Sequence, residues 1–233
     1  MINSSQHSVA PAVYPKAPYD TLRDFAAVAS LGSSPNVIVV GPEKAIDTLS
    51  DLVAAAKAKP GGLTYATAGV GSATHLSTER FRASAGFEGA HVPFRGMSEA
   101  LTEVMTGRID FSCSSIATAL PFIHSGQLVA LAVTTPQRSS ALPTVPTSLE
   151  AGYPNSSYTF WTGMFLPAKT PREIVERLHD ATEKALSAPS VRETLALQGV
   201  DPMPISPTAF DALIKSEVES HIALLRATGI KLN

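Results

Sequence analysis

Short apolar runs alternate with helix-period segments over most of the chain. Around residues 63–85 the pattern is densest. A β-prone run at 63–67 stops at Gly69 and Gly71, Ser72 stands where an N-cap belongs, and Leu76, Phe81 and the alanines nearby begin a helical apolar face. This predicts strand, glycine turn and helix start in succession. Before it, 26–31 and 36–40 predict two strands. Thr48 then caps a helix carrying Leu49, Leu52, Val53 and Ala56, with Pro60-Gly61-Gly62 as the stop. After it come a strand at 90–92, a helix over about 97–106 ended by Gly107, a strand at 109–113, a helical turn near 117–123 and strands at 128–134 and 158–166. Strands alternating with helices predict βαβ units and an α/β fold.

The flanks read differently. Residues 1–24 are polar and punctuated by Pro11, Pro15 and Pro18, which predicts an extended loop and a short helical turn near 21–25. Residues 136–156 predict a long irregular connection. The remainder is helical. Thr170-Pro171-Arg172-Glu173 reads as a capping box before a helix with Ile174, Leu178, Ala181 and Ala185 on one face. Pro189 opens a second helix closed by Gly199. Ser206-Pro207 opens a third, with Phe210, Leu213, Ile214, Ile222 and Leu225 on its face and Gly229 as its stop.

The 233 residues are 44% hydrophobic, enough for a sizeable core in one large or two small domains. A formal net charge of −2, with no Lys/Arg cluster and 6% aromatic residues, argues against a nucleic-acid partner. The lone Cys113 excludes an intramolecular disulfide. The first residues lack the basic region and apolar core of a signal peptide, and no apolar run reaches the roughly 18 residues a membrane span needs.

Candidate chemistry centres on 67–76. Two glycines, a helix start and the hydroxyls of Thr67, Ser72 and Thr74 suit a small anion such as a carboxylate; a capped helix after a tight turn is the plainer reading. Ser72 and His75 share a helix face, yet the Gly-x-Ser-x-Gly of a hydrolase is absent, and a capping serine is favoured over a nucleophile. Arg95, in Pro93-Phe94-Arg95-Gly96, either meets a carboxylate or is a solvated loop charge. Asp110, near Ser112, Ser114 and Ser115, either accepts from a ligand amine or hydroxyl or is a strand-end group paired to backbone, the latter slightly favoured. Trp161 reads as core more than pocket wall. His179 and His221 are expected on solvated helix faces. The histidines and Cys113 show no metal spacing, and no phosphate loop or dinucleotide fingerprint occurs, so no metal and no cofactor is expected.

Several blocks taken together resemble one family. They include Tyr19-Asp20, Asp24-Phe25, Tyr65-Ala66, Gly71-Ser72, Thr74-His75-Leu76, His91-Val92-Pro93-Phe94-Arg95-Gly96, Gly107-Arg108-Ile109-Asp110, Leu131-Ala132-Val133-Thr134, Leu142-Pro143-Thr144-Val145-Pro146-Thr147 and Glu150-Ala151-Gly152-Tyr153-Pro154. The chain resembles the Bug family, the substrate-binding receptors of tripartite tricarboxylate transporters. The resemblance implies a periplasmic receptor, not an enzyme, with a two-lobed type II periplasmic-binding-protein fold of mixed, mostly parallel sheets. It implies closure over a small carboxylate (a dicarboxylate, amino-acid anion or aromatic acid) and a partnership with the transporter's membrane components. The alternatives are the effector-binding domain of a regulator and an isomerase or hydrolase reusing the cleft.

By position, Thr67, Gly71, Ser72, Thr74 and His75 match the family's second-lobe anion loop. Phe94 and Arg95 fall where the family has an aromatic and often a lysine, and Asp110 and Ser114 lie in a cleft-facing stretch whose pattern departs from the family's. The same resemblance divides the chain into lobe one, 1–41 with 157–233, and lobe two, 42–156. It also implies that lobe one lacks its initial strands, with self-association through the incomplete lobe as the expected consequence.

Overall fold

The computed structural model describes residues 1–13, 17–59 and 61–228. In chain order the first elements are β1 (Ile2–Ser4), α1 (Gln6–Val13), α2 (Thr21–Asp24), β2 (Phe25–Val40), α3 (Leu49–Ala58), β3 (Leu63–Thr67), α4 (Ala73–Ala85) and β4 (Gly89–Pro93). Then follow α5 (Met97–Met105), β5 (Phe111–Ser115), α6 (Ile116–His124), β6 (Val129–Val133), β7 (Thr159–Pro167), α7 (Arg172–Leu186), α8 (Pro189–Leu197) and α9 (Pro207–Thr228). The chain divides into two compact units, Met1–Ser33 with the segment from Phe160 onward, and Ser34–Thr159.

In the second unit β3 pairs in parallel with β4 on one side and β5 on the other, and β2 runs antiparallel to both β5 and β6. The sheet is mixed, with its parallel part confined to β4-β3-β5. Period-two alternation along β2 sends Ile38 and Val40 to a core completed by α3 and α4, through Leu52, Val53, Phe81 and Ala85. Val37 and Val39 go to a second core with Leu101 and Val104 of α5 and Ile116 of α6. Residues 34–41 and 157–159, expected in the first lobe, belong to this unit. The second half of β2 is laddered to β5 and β6, and the Thr134 carbonyl accepts the Tyr158 N–H at 2.8 Å.

In the first unit β1 pairs antiparallel with β7, which lies between β1 and β2 in the strand order. Trp161, Phe165, Phe210, Ile214 and Val218 pack with Ala27 as its core. Trp161 is fully buried and its Nε1–H donates to Glu217 at 2.9 Å, the core role the sequence favours.

Several expectations are corrected. Residues 1–13 hold β1 and α1 instead of an extended loop. Pro11 sits inside α1 because the His7 carbonyl, whose helical partner would be the N–H that proline lacks, accepts from the Thr21 hydroxyl at 3.1 Å. The two strands expected at 26–31 and 36–40 are one strand. Gly32 (φ +152°) and a bridge from Ser33 to Asp201 carry it through the break, and a Cβ at Gly32 would lie 2.6 Å from Val200 Cγ1. Thr170 does not cap α7, since its hydroxyl donates to the Pro167 carbonyl at 2.7 Å. That helix buries Val175, leaving Ile174 and Leu178 44% and 36% exposed. His179 is not a solvated surface group: its Nδ1 meets the Val28 carbonyl at 3.0 Å, and His221 is buried. Pro15, Pro60 and Gly229 lie outside the described residues.

Candidate functional site

Three parallel strands of the second unit finish together. Thr67 closes β3 opposite Pro93 of β4, and Ala66 lies opposite Ser112 of β5, so 68–72, 94–96 and the end of β5 leave the sheet at the same edge. Ligand sites of open α/β sheets lie beyond such carboxyl ends.

The segment after β3 folds back on itself through Gly69 (φ +115°) and Gly71 (φ +75°). Ser72 caps α4: its Oγ accepts the His75 N–H at 3.2 Å and donates to the Gly69 carbonyl at 2.7 Å. Three side chains accept loop amides. Thr67 Oγ1 takes Gly69 N–H at 3.2 Å, Thr74 Oγ1 takes Ala68 N–H at 3.1 Å, and His75 Nδ1 takes Gly71 N–H at 3.0 Å. The Ser72 and Thr74 hydroxyls are 3.0 Å apart. The structure thus joins Thr67, Gly71, Ser72, Thr74 and His75 in one hydrogen-bonded loop. The amides of both glycines are used within the loop. Among the described residues, the N–H groups of Val70, Ala73 and Thr74 find no acceptor, and the last two form the first turn of α4.

His91 of β4 belongs here too, and sequence reasoning passes over it. Its Nε2 lies 2.6 Å from Thr67 Oγ1, and its ring stacks on His75 with centroids 4.0 Å apart and planes within 12°. Its register partner is Tyr65, whose ring lies 5.1 Å away. The one cue in sequence is parity along β4, and nothing local sets the β3–β4 register. Burial lowers the pKa of His75, with Glu79 opposing, and lowers that of His91 to about 4 with help from His75. Beneath the rings Tyr65 Oη donates to Glu79 Oε1 at 2.5 Å, and Arg82 Nη1 donates to the same oxygen at 2.6 Å. Burial, then the Glu79 contact, pushes the Tyr65 phenol up. The loop therefore offers neutral dipoles above a compensated ion pair.

The other expected residues divide. Phe94 donates its N–H to the Thr67 carbonyl at 2.9 Å, while its side chain packs on the α5–α6 core. Arg95 is exposed and makes no ion pair among the described residues. Ser114 is buried at the end of β5 with its Oγ donating to the Ser115 carbonyl at 3.1 Å. Asp110 is not brought to this edge. It precedes β5 at the amino end, where its carboxylate accepts from Lys44 (2.9 Å), Lys59 (3.0 Å) and the N–H and hydroxyl of Thr64 (2.8 and 3.0 Å). Against the opposing effect of burial, these donors hold its pKa near 2. Ser72 donates to Gly69 instead of His75, and His75 Nδ1 is occupied by Gly71, so the two make no nucleophile–base hydrogen bond. Cys113 is buried 3.1 Å from the Ser77 hydroxyl, and burial raises its thiol to about 12.

The family described as "Tripartite tricarboxylate transporter family receptor" matches residues 1–230. The chain belongs to that family. It is 37% identical over 94% of its length to the UPF0065 protein in the tcbD-tcbE intergenic region of Pseudomonas sp. strain P51, covering 66% of that relative. It is 32% identical over 99% of its length to Protein BugT of Bordetella pertussis, covering 71% of it. It thus spans about two thirds of these relatives' length. Among solved structures, R. palustris Rpa4515 with adipate superposes with a TM-score of 0.82 at 28% identity, over 99% of this chain and 77% of that one. The Bug resemblance and the mixed α/β fold of a periplasmic binding protein hold.

Proposed function

We propose that this receptor captures a small carboxylate in the periplasm and presents it to the membrane components of a tripartite transporter. Dicarboxylates, amino-acid anions and aromatic acids are the candidate ligands. The observation that carries the reading is the pair of unpaired first-turn N–H groups, Ala73 and Thr74, at the carboxyl edge of the parallel strands, with the exposed Arg95 on the segment that follows β4. Anions are stabilised at such helix starts by the dipole and by direct hydrogen bonds. The structure of Rpa4515 with adipate supports a dicarboxylate as one candidate. The geometry around Ser72 and His75 favours capture over turnover, because neither activates the other.

The test is a thermal melt against mono-, di- and aromatic carboxylates. An acid present at about 100 times its Kd adds roughly 2.7 kcal/mol, which raises the Tm by several degrees. No rise with any acid would overturn the reading, and consumption of an acid that Ser72→Ala abolishes would favour an enzyme.

A further inference from the structure

We propose that His91 is a positioning residue for the anion loop, acting through His75 by its ring stack and through Thr67 by its hydrogen bond. This rests on the carboxylate-capture reading for its purpose, but its geometry stands without a ligand. His91 touches two separate supports of one loop. Through Thr67 Oγ1 (2.6 Å) it faces the hydroxyl that accepts the Gly69 N–H, and through the 4.0 Å stack it backs the ring whose Nδ1 accepts the Gly71 N–H. These are the two glycines with left-handed φ that give the loop its shape. The first turn of α4 projects its spare N–H groups only while that shape is kept.

The arrangement also fixes protonation. His75 Nδ1 receives Gly71 N–H, so it carries no proton and the ring's hydrogen sits on Nε2. The Thr67 hydroxyl has two acceptors for its own proton, the Gly69 carbonyl at 3.3 Å and His91 Nε2 at 2.6 Å, and the shorter contact favours His91 as acceptor. Both rings are then neutral, and their close stack carries no charge repulsion. The titratable and charged neighbours are known from each side: Tyr65 on β3, Glu79 and Arg82 on α4, Glu88 before β4 through Arg82, and Cys113 on β5 held by Ser77. Burial and His75 lower the His91 pKa, and burial lowers that of His75, which agrees with the geometry.

The experiment is amide hydrogen exchange of Gly69 and Gly71 in the ligand-free receptor, with two conservative variants. His91→Phe keeps a ring for the stack and removes the nitrogen. Gly69 should then exchange about tenfold faster while Gly71 keeps its protection. His91→Gln keeps a partner for Thr67 and removes the stack, so the pattern should reverse. In His75→Asn, whose amide oxygen can still accept from Gly71, the His91 imidazole should titrate at higher pH than in the parent, because no neighbouring imidazole is left to become protonated and oppose a second charge. Glycine amides that move together in both variants, or do not move, would overturn the proposal, as would an unchanged His91 titration. None of these readouts depends on a carboxylate, so a failed melt panel and a failed exchange pattern identify different errors.

Discussion

Asp110 and the Thr67 loop occupy opposite ends of the same parallel strands, and they treat polar groups in opposite ways. Thr64, which holds Asp110, and Thr67 are three residues apart on β3, about 10 Å at the usual rise per residue. At the Asp110 end Lys44 holds one carboxylate oxygen, while Lys59 and the amide and hydroxyl of Thr64 converge on the other. Full charge is present, and it is engaged by four donors of the protein itself. At the Thr67 end no ionised group enters the loop network, yet first-turn N–H groups remain unpaired. Unspent hydrogen-bonding capacity, more than charge, separates a candidate site from a structural clamp.

The sharpest way to break this contrast is Asp110→Asn. It removes charge-assisted contacts to two lysines and should destabilise the protein by about 2 kcal/mol, read by denaturant unfolding. Carboxylate affinity should stay within about twofold, since the loop is a strand-length away. The pH dependence carries the same signature. Asp110 has a folded pKa near 2, below its unfolded value, so its contribution is present above about pH 4 and is lost as pH falls toward 2. Parent and variant stabilities should therefore converge toward pH 2. An affinity loss as large as the stability loss would place Asp110 in the site after all.

What the sequence shows depends on how local the cause is. The Ser72 cap, the Thr48 cap and the strand at Leu63–Thr67 are encoded by neighbours in the chain, and all are found. The family was legible because many weak blocks recur in one order along nearly the whole chain. The missed features each depend on a distant partner. Pro11 is tolerated inside α1 because Thr21 reaches His7. β2 continues because Asp201 pairs with Ser33. His91 joins the loop through the β3–β4 register, and Asp110 turns from a candidate ligand contact into a clamp because Lys44 and Lys59 converge on it.

Ser72→Ala comes next in size and tests the other end of the strands. The change removes the cap on the His75 N–H and the bond to the Gly69 carbonyl, which should cost about 1 kcal/mol of stability. Because Ser72 shapes the loop that presents the Ala73 and Thr74 N–H groups, carboxylate affinity should fall about tenfold, measured by calorimetry. An unchanged Kd would leave Ser72 as a cap alone.

The smallest effect is expected at Arg95, and it tests directly whether charge or unspent hydrogen bonds do the holding. Arg95 is exposed and unpaired among the described residues, so its attraction for an anion acts through solvent. Arg95→Gln should therefore weaken carboxylate binding only about two- to threefold at low salt, and the difference should vanish near 0.5 M salt, where the screening length of about 4 Å is shorter than a through-solvent separation. A loss above about tenfold that persists at high salt would mean that the guanidinium closes onto the ligand as a direct, desolvated partner. In that case a charged clamp, and not the neutral first turn of α4, would be the main anchor, and the contrast with Asp110 would fail on its central point.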